Sequence, residues 1–255
     1  MCGDSFKVAM RLAYNGGAFY GFQSQKDEKS VVATLLEVLR SVGIFSKITG
    51  SGRTDKGVHS SAQVISLEIP MFWQDLEKLQ QQLNAKLYPN IIIKRIWRVG
   101  DTFHARFHAT RRGYCYILSK NNSPFLNPFA LYYPLQNPKR VKAALKMLVG
   151  EHNFKAFMKK GGCGDNGELC DSKQGVNATT RMIYRAQLRE FEKFWVISFW
   201  GNGFLRAQVR LMVGFLLEIE RGHLDLKDLE SQLKGAMLYR IPVAPNGLYL
   251  TRVDY

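Results

Sequence analysis

The order in which apolar residues change their spacing restricts this chain more than any other feature. Lys7 to Tyr14 reads as a strand; after a glycine-containing loop, Ser30 stands where it can cap a helix. Val32, Leu35, Leu36, Leu39 and Val42 then keep helical spacing. Lys47 to Gly50 and Ala62 to Ile69 read as strands. Phe72, Leu76, Leu79, Leu83 and Leu87 mark a second amphipathic helix, and the isoleucine-rich run Ile91 to Val99 follows as a strand. The predicted order is β-α-β-β-α-β.

The second half repeats that order in outline. A tyrosine-rich strand is expected over Tyr114 to Ser119, and a helix over Pro138 to Val149 with proline in its first turn. Arg181 to Phe191 and Phe194 to Trp200 read as paired strands around the charged turn Glu192-Lys193. A helix from Phe204 to about Arg221 carries Leu205, Val209, Met212, Val213, Leu216 and Ile219 on one side, and Leu248 to Val253 reads as the last strand. The expected fold class is α+β, built as two tandem ferredoxin-like halves with mixed, mainly antiparallel sheets. The halves cover residues 1–112 and 113–255 and join near Arg111 to Gly113. Lys159 to Asn177, rich in Gly, Asp and Lys, reads as a mobile loop.

Lys and Arg outnumber Asp and Glu by 36 to 21, giving a net charge of +15. Such a field suits a polyanionic partner, either nucleic acid or an anionic membrane surface. A membrane span needs about 20 apolar residues; the most apolar run, Leu211 to Ile219, is half that and is flanked by Arg210 and Arg221. The amino terminus lacks the basic and apolar regions of a secretory signal, so the sequence reads as cytoplasmic, without membrane attachment. Cys2, Cys115, Cys163 and Cys170 form no CxxC pair, and a zinc site from Cys163, Cys170 and His152 matches no common spacing. Reduced thiols and no metal are expected.

Chemistry concentrates in Thr49-Gly50-Ser51-Gly52-Arg53-Thr54-Asp55-Lys56-Gly57-Val58-His59, between two predicted strands. Its glycines permit a tight turn and close approach of a ligand to backbone. Gly52 and Gly57 have the separation of a phosphate-binding P-loop, but Val58 and His59 stand where Lys and Ser or Thr are needed. Alone, Asp55 reads as a turn former. Arg53, two residues earlier, is placed either to hold that carboxylate ionised or to bind a phosphate beside it.

The segment GRTDKGVH resembles the GRTDxGVH signature of the tRNA pseudouridine synthase A family. Four more segments resemble that family in order: YNGGAFYGFQSQ its YDGxxFxGWQxQ, FHARFHATRRGYCY its FxARFxAxxRxYxY, GNGFLRAQVRLMVGFLLEIERG its AxxFLxxMVRxxVGxLxxVGxG, and APNGLYLTRVDY its APxxGLxLxxVxY. The chain departs at Asn15 for the usual Asp, Phe22 for Trp, and Gly113 and Cys115 for common arginines.

The resemblance implies that Asp55 is the nucleophile, Tyr114 the tyrosine that stacks on the target base, and Leu248 the apolar residue on that base's other face. It further implies that Arg210 pairs with the nucleophile and that Arg53 enters the RNA stack to keep the uridine extruded. The implied substrate is uridine at positions 38, 39 and 40 of the tRNA anticodon stem-loop; the implied enzyme is a homodimer without cofactor, its active-site cleft between the two halves. As in retaining glycosidases, a carboxylate promotes glycosidic cleavage, and the freed uracil rotates and rejoins through carbon. His59, His104 and His108 are left with structural or RNA-contact roles. A noncatalytic basic RNA-binding protein or RNA chaperone on the same fold is the rival reading, and the intact GRTD loop argues against it.

Overall fold

In the computed structural model β1 (Ser5–Tyr14), α1 (Val31–Arg40), β2 (Thr49–Gly50), β3 (His59–Pro70), α2 (Leu76–Leu87) and β4 (Ile91–Arg98) follow one another. The structure describes residues 5–23, 28–159 and 179–255. Alternation along β1 buries Val8, Met10, Leu12 and Tyr14, which pack with Ile65, Leu67 and Ile69 of β3 and Ile91, Ile93 and Ile96 of β4. β1 lies between β4 and β3, antiparallel to both, and β2 pairs antiparallel with β3.

The helices supply the apolar cover that the spacing predicts. α1 starts where the Ser30 hydroxyl accepts the Ala33 amide and buries Val31, Leu35 and Leu39. α2 starts later than its apolar pattern implied: Asp75 caps it by accepting the Lys78 amide, and Phe72 lies outside, 67% exposed. Its buried residues are Leu79, Leu83 and Leu87. Each fully buried aliphatic side chain contributes about 1.5–3 kcal/mol.

This first unit comprises Met1–Thr110 and Tyr249–Tyr255, and the second Arg111–Leu248. The terminal segment therefore belongs with the first unit, where a linear division at 112 puts it in the other half. Tyr249 and Leu250 pair in parallel with His59 and Ser60, and the Ser60 hydroxyl donates to the Leu250 carbonyl at 3.1 Å. Backbone pairing overrides sequence distance here.

The second unit contains β5 (Arg111–Ser119), β6 (Leu131–Tyr132), α3 (Pro138–Met147), β7 (Gly150–Asn153), β8 (Thr180–Glu190), β9 (Phe194–Gly201), α4 (Gln208–Arg221) and α5 (Leu226–Leu233). β5, β9, β8 and β7 are neighbours in that order, each pair antiparallel, while β6 runs parallel to β5. β7 and α5 lack a readable signal in sequence: Gly150–Asn153 has no apolar alternation, and α5 buries only Leu229 and Gln232. α4 begins at Gln208 rather than Phe204, because Ala207 at φ 60° takes a left-handed conformation that a helix cannot contain.

The whole chain is thus mixed α and β with mainly antiparallel strand pairing. The Lys159 to Asn177 stretch, with Cys163 and Cys170, lies outside the described residues apart from Lys159 itself. Among the described residues no helix is long and apolar enough to cross a membrane, and no group of three or more His, Cys, Asp or Glu could hold a metal ion.

One buried carboxylate ties α3 to α4. Pro138 opens α3 without a side-chain cap from Asn137; instead Glu220 of α4 accepts the Gln136 amide at 2.8 Å, the Asn137 amide at 2.7 Å and the Tyr133 hydroxyl at 2.5 Å. Burial alone would raise the Glu220 pKa, but these donors and the nearby Arg221 bring it below its ordinary 4.5. Burial and the same carboxylate push Tyr133 up to about 12. Glu220→Gln should therefore cost about 1.5–3 kcal/mol in urea unfolding at neutral pH. The wild-type contribution is complete above pH 4.5 and lost as pH falls through the lowered folded-state value. That part of the acid dependence should vanish in the variant.

Candidate active site

The loop from Ser51 to Val58 joins β2 to β3, and polar contacts within the first unit fix its path. At its start the buried Ser51 donates through its amide to the Val64 carbonyl at 2.8 Å and through its hydroxyl to Gln63 Oε1 at 2.5 Å. Gln63, fully buried, donates in turn from Nε2 to the Gly52 carbonyl at 2.8 Å. A buried amide with two such partners holds the loop as a second strand would. Gln63 carries no family signature in sequence, and its role is visible only from its contacts.

Midway, Thr54 is clamped on both sides. Its Oγ1 lies 2.8 Å from the Tyr14 hydroxyl, and its carbonyl accepts the Phe22 amide at 3.0 Å. Asp55 follows, half-buried, its carbonyl accepting the Val58 amide at 3.1 Å to close a turn that Gly57 completes at φ 77°. Arg53 and Lys56, on either side, are exposed, and the Lys56 ammonium sits 3.7 Å from the centre of the Tyr20 ring. The carboxylate-bearing residue is thus fixed by its backbone, while both neighbouring cations reach outward.

The opening segment presses against this loop. Gly16 donates to His59 Nδ1 at 3.0 Å, and a Cβ on Gly16 would lie 2.1 Å from the Val58 carbonyl oxygen. His59 is buried and stacks on Tyr249 with centroids 4.7 Å apart, inclined 16°. Its Nδ1, an acceptor, carries no proton in this arrangement, which suits a structural rather than an acid-base histidine. His104 is similar: Nδ1 accepts the Arg106 and Phe107 amides at 3.2 Å, while burial and His108 lower its pKa.

The departures from the family pattern are accommodated locally. Asn15 Oδ1 accepts the Gly17 amide at 3.1 Å, a capping bond that Asp would also make. The Phe22 ring fills space beside Gly50, where a Cβ would come within 2.3 Å of it. Cys115 Sγ lies 3.2 Å from the Ser198 hydroxyl.

In the second unit the structure gathers Tyr114 and Arg210 around two further aromatics. Tyr114 is only 9% exposed and meets Phe204 edge to face at 5.2 Å. Two residues along β5, Tyr116 is fully buried, its hydroxyl donating to the Ala244 carbonyl at 2.7 Å. Burial drives the Tyr116 pKa far upward, and the Arg210 charge opposes that rise. Arg210 donates from Nε to the Val243 carbonyl at 2.8 Å, and its own carbonyl accepts the Val243 amide at 3.2 Å. Gly247, whose Cβ would come within 2.8 Å of Tyr116, leads into buried Leu248. Tyr114, Arg210 and Leu248 therefore share a unit, Tyr114 packed on Phe204 and Arg210 tied to Val243; Asp55 and Arg53 belong to the other.

Gln208 is a further residue without a sequence signal. Buried at the start of α4, where the family pattern has Met, it accepts the Leu205 amide at 2.8 Å and so holds the turn before Ala207.

Comparison with known proteins follows from this geometry. Residues 10–108 and 144–255 match the family described as tRNA pseudouridine synthase. Asp55, Arg53, Arg210 and Leu248 fall inside the matched spans and Tyr114 outside them. The chain is 41% identical over 252 residues to tRNA pseudouridine synthase A of Helicobacter hepaticus, covering 96% of this chain and 97% of that one. It is 37% identical to the proteins of that name from Wolinella succinogenes, covering 96% and 92%, and Campylobacter jejuni, covering 98% and 100%.

The Gly16 contact yields a direct test of how the loop is held. Gly16→Ala should cost about 1–3 kcal/mol in urea unfolding, since a methyl group displaces backbone rather than a side-chain tip. Hydrogen exchange at the Val58 amide should accelerate, and unchanged exchange there would show that the loop is held independently of Gly16.

Proposed function

The chain belongs to the tRNA pseudouridine synthase family and isomerises uridine to pseudouridine in tRNA; on that premise we propose that Asp55 supplies the nucleophilic carboxylate. We further assign its targets to positions 38, 39 and 40 of the anticodon stem-loop, and read the enzyme as a cytoplasmic homodimer built of two ferredoxin-like halves. The observation that carries the assignment is the fixed loop: Thr54 and Val58 bracket Asp55 with backbone hydrogen bonds, so its carboxylate is presented without a large search of conformations.

Isomerisation conserves atoms and electrons. The glycosidic bond to nitrogen breaks and one to carbon forms, so the reaction calls for a group that stabilises the cleaved sugar and a surface that retains the uracil. A carboxylate supplies the first. For the second, Tyr114 is proposed as the stacking ring, with Leu248 on the opposite face. Arg210, held to the Val243 carbonyl through Nε, is proposed as the guanidinium that pairs with the carboxylate. The net charge of +15 favours a phosphate-rich substrate held by backbone contacts that tolerate varied sequence.

Asp55→Asn preserves shape and removes the negative charge. It should reduce pseudouridine formation in single-turnover assays by at least about a thousandfold, a loss of roughly 4 kcal/mol in transition-state stabilisation, while the tRNA Kd changes little. A wild-type rate in that variant would refute the assignment and favour a noncatalytic carboxylate.

Arg53 is exposed two residues before Asp55, and its long guanidinium fits a residue that fills the gap left by an extruded nucleotide. Arg53→Ala should therefore slow modification of structured tRNA severely and of a short RNA with an unpaired target uridine much less, because unstacking costs a few kcal/mol only in the former. Equal losses on both RNAs at saturating enzyme would assign Arg53 an electrostatic role toward Asp55 instead.

A further inference from the structure

Two residues beside Asp55 stand where the family patterns fix no residue type. Lys56 occupies the open position of GRTDxGVH, and Tyr20 the open position between Phe and Gly in YDGxxFxGWQxQ. Backbone packing brings them together. The Phe22 amide donates to the Thr54 carbonyl at 3.0 Å and the Gly57 amide to the Phe19 carbonyl at 3.4 Å, so residues 19–22 run alongside residues 54–57. Gly21, at φ 106°, makes the closest approach: a Cβ there would lie 3.0 Å from the Thr54 carbonyl oxygen and 3.4 Å from the Lys56 amide nitrogen. Tyr20 donates its own amide to the Lys29 carbonyl at 2.9 Å, which fixes its backbone on the side away from the loop.

The side chains complete the arrangement. Lys56 is exposed, and its ammonium sits 3.7 Å from the centre of the Tyr20 ring, itself 44% exposed. A ring attracts the ammonium without neutralising it, whereas a carboxylate would cancel its charge. Among the described residues no ion pair involves Lys56, although Asp55 adjoins it in sequence and Glu28 adjoins Lys29. The other exposed cation of the loop, Arg53, meets no ring among the described residues, so Lys56 alone is fixed in this way.

We infer that Lys56 binds a phosphate flanking the target uridine and that Tyr20 is its positioning residue, holding the ammonium where the RNA strand passes Asp55. The inference rests on Asp55 acting at the uridine, because a phosphate beside that sugar then falls within reach of the next side chain in the loop. Chemistry selects the phosphodiester. A lysine ammonium is a compact point charge that carries donors only and reads no base identity, which suits the strand's backbone rather than its bases. A lysine left to itself gives up much rotamer freedom on binding; here the ring has already restricted it, so the contact forms at lower entropic cost.

The test measures tRNA affinity and single-turnover pseudouridine formation separately on the full chain. Lys56→Met keeps the length of the side chain and loses its charge; it should weaken tRNA binding by about fivefold or more at low salt and reduce the slope of log Kd against log salt by about one. Lys56→Arg should restore most of that affinity. Tyr20→Phe, which keeps the ring, should bind like wild type, and Tyr20→Leu should lose about two- to fivefold. Because Tyr20 acts through Lys56, Lys56→Met combined with Tyr20→Leu should bind no more weakly than Lys56→Met alone. In a short RNA hairpin carrying the target uridine, a neutral methylphosphonate in place of a phosphate flanking that uridine should weaken binding to wild type and leave binding to Lys56→Met unaltered. Both positions are exposed, so thermal midpoints should hold; if Tyr20→Leu unfolds, Tyr20→Phe, Lys56→Met and the methylphosphonate decide. Additive losses in the double variant would overturn the role of Tyr20. A wild-type salt slope in Lys56→Met, or equal methylphosphonate effects in both proteins, would overturn that of Lys56. A loss confined to the rate at saturating tRNA, with a displaced pH profile, would overturn the inference in favour of electrostatic tuning of Asp55. Failure of the catalytic assignment shows separately, as a wild-type rate in Asp55→Asn.

Discussion

Where Gly16 passes Val58, one methyl group would lie 2.1 Å from a carbonyl oxygen, so the two backbones are in direct contact. Interiors resist compression, and a backbone packed against backbone has no side-chain tip that can yield. The chain exploits this once more, where Gly21 at φ 106° runs beside the Thr54 carbonyl, and Gly50 leaves room for the Phe22 ring. The loop carrying Asp55 is consequently boxed in by three glycines and by Tyr14, Thr54 and Gln63 before any substrate arrives. Preorganisation of this kind offsets the entropy that a mobile loop would lose on reaching its productive geometry.

Much of this was legible in the sequence, for a physical reason. Long elements with strong apolar periodicity, such as β1, β3, α1 and the body of α4, are specified by their own buried faces and were readable in place. Boundaries were not. α2 begins at Leu76 because Asp75 caps it, which the apolar residue at Phe72 obscures, and α4 is delayed to Gln208 by the left-handed Ala207. β7 and α5 carry too little apolar patterning to stand out from a loop, and the pairing of Tyr249 with His59 joins residues that nothing local could connect. Asp55, Arg53, Gly16 and Tyr116 lie within segments that resemble the family, whereas Gln63 acts through contacts on the loop and left no local mark.

The histidines illustrate how geometry narrows chemistry. His59 adjoins the loop that carries Asp55 and would tempt any search for an acid-base pair. Its Nδ1 is occupied by the Gly16 amide and its ring face by Tyr249, whose own hydroxyl is pushed up to about 12 by burial. A proton shuttle needs a nitrogen free to gain and lose its proton. His104 spends Nδ1 on two backbone amides in the same way. Both rings serve as fixed polar struts for the backbone that passes them.

The second unit solves a different problem with similar means. Arg210 emerges from an apolar helix, where an arginine without a partner would be costly. The Val243 carbonyl meets its Nε and the buried Tyr116 hydroxyl engages Ala244, so one short segment is tied to both α4 and β5. Leu248 follows within that segment's reach, its entry set by Gly247 against the Tyr116 ring. Tyr116, the last residue of FHARFHATRRGYCY, thus meets from β5 both the Ala244 carbonyl and Gly247 on the way to Leu248. Loss of the tyrosine hydroxyl would release this segment from β5, whereas the bonds between Arg210 and Val243 would still hold it to α4.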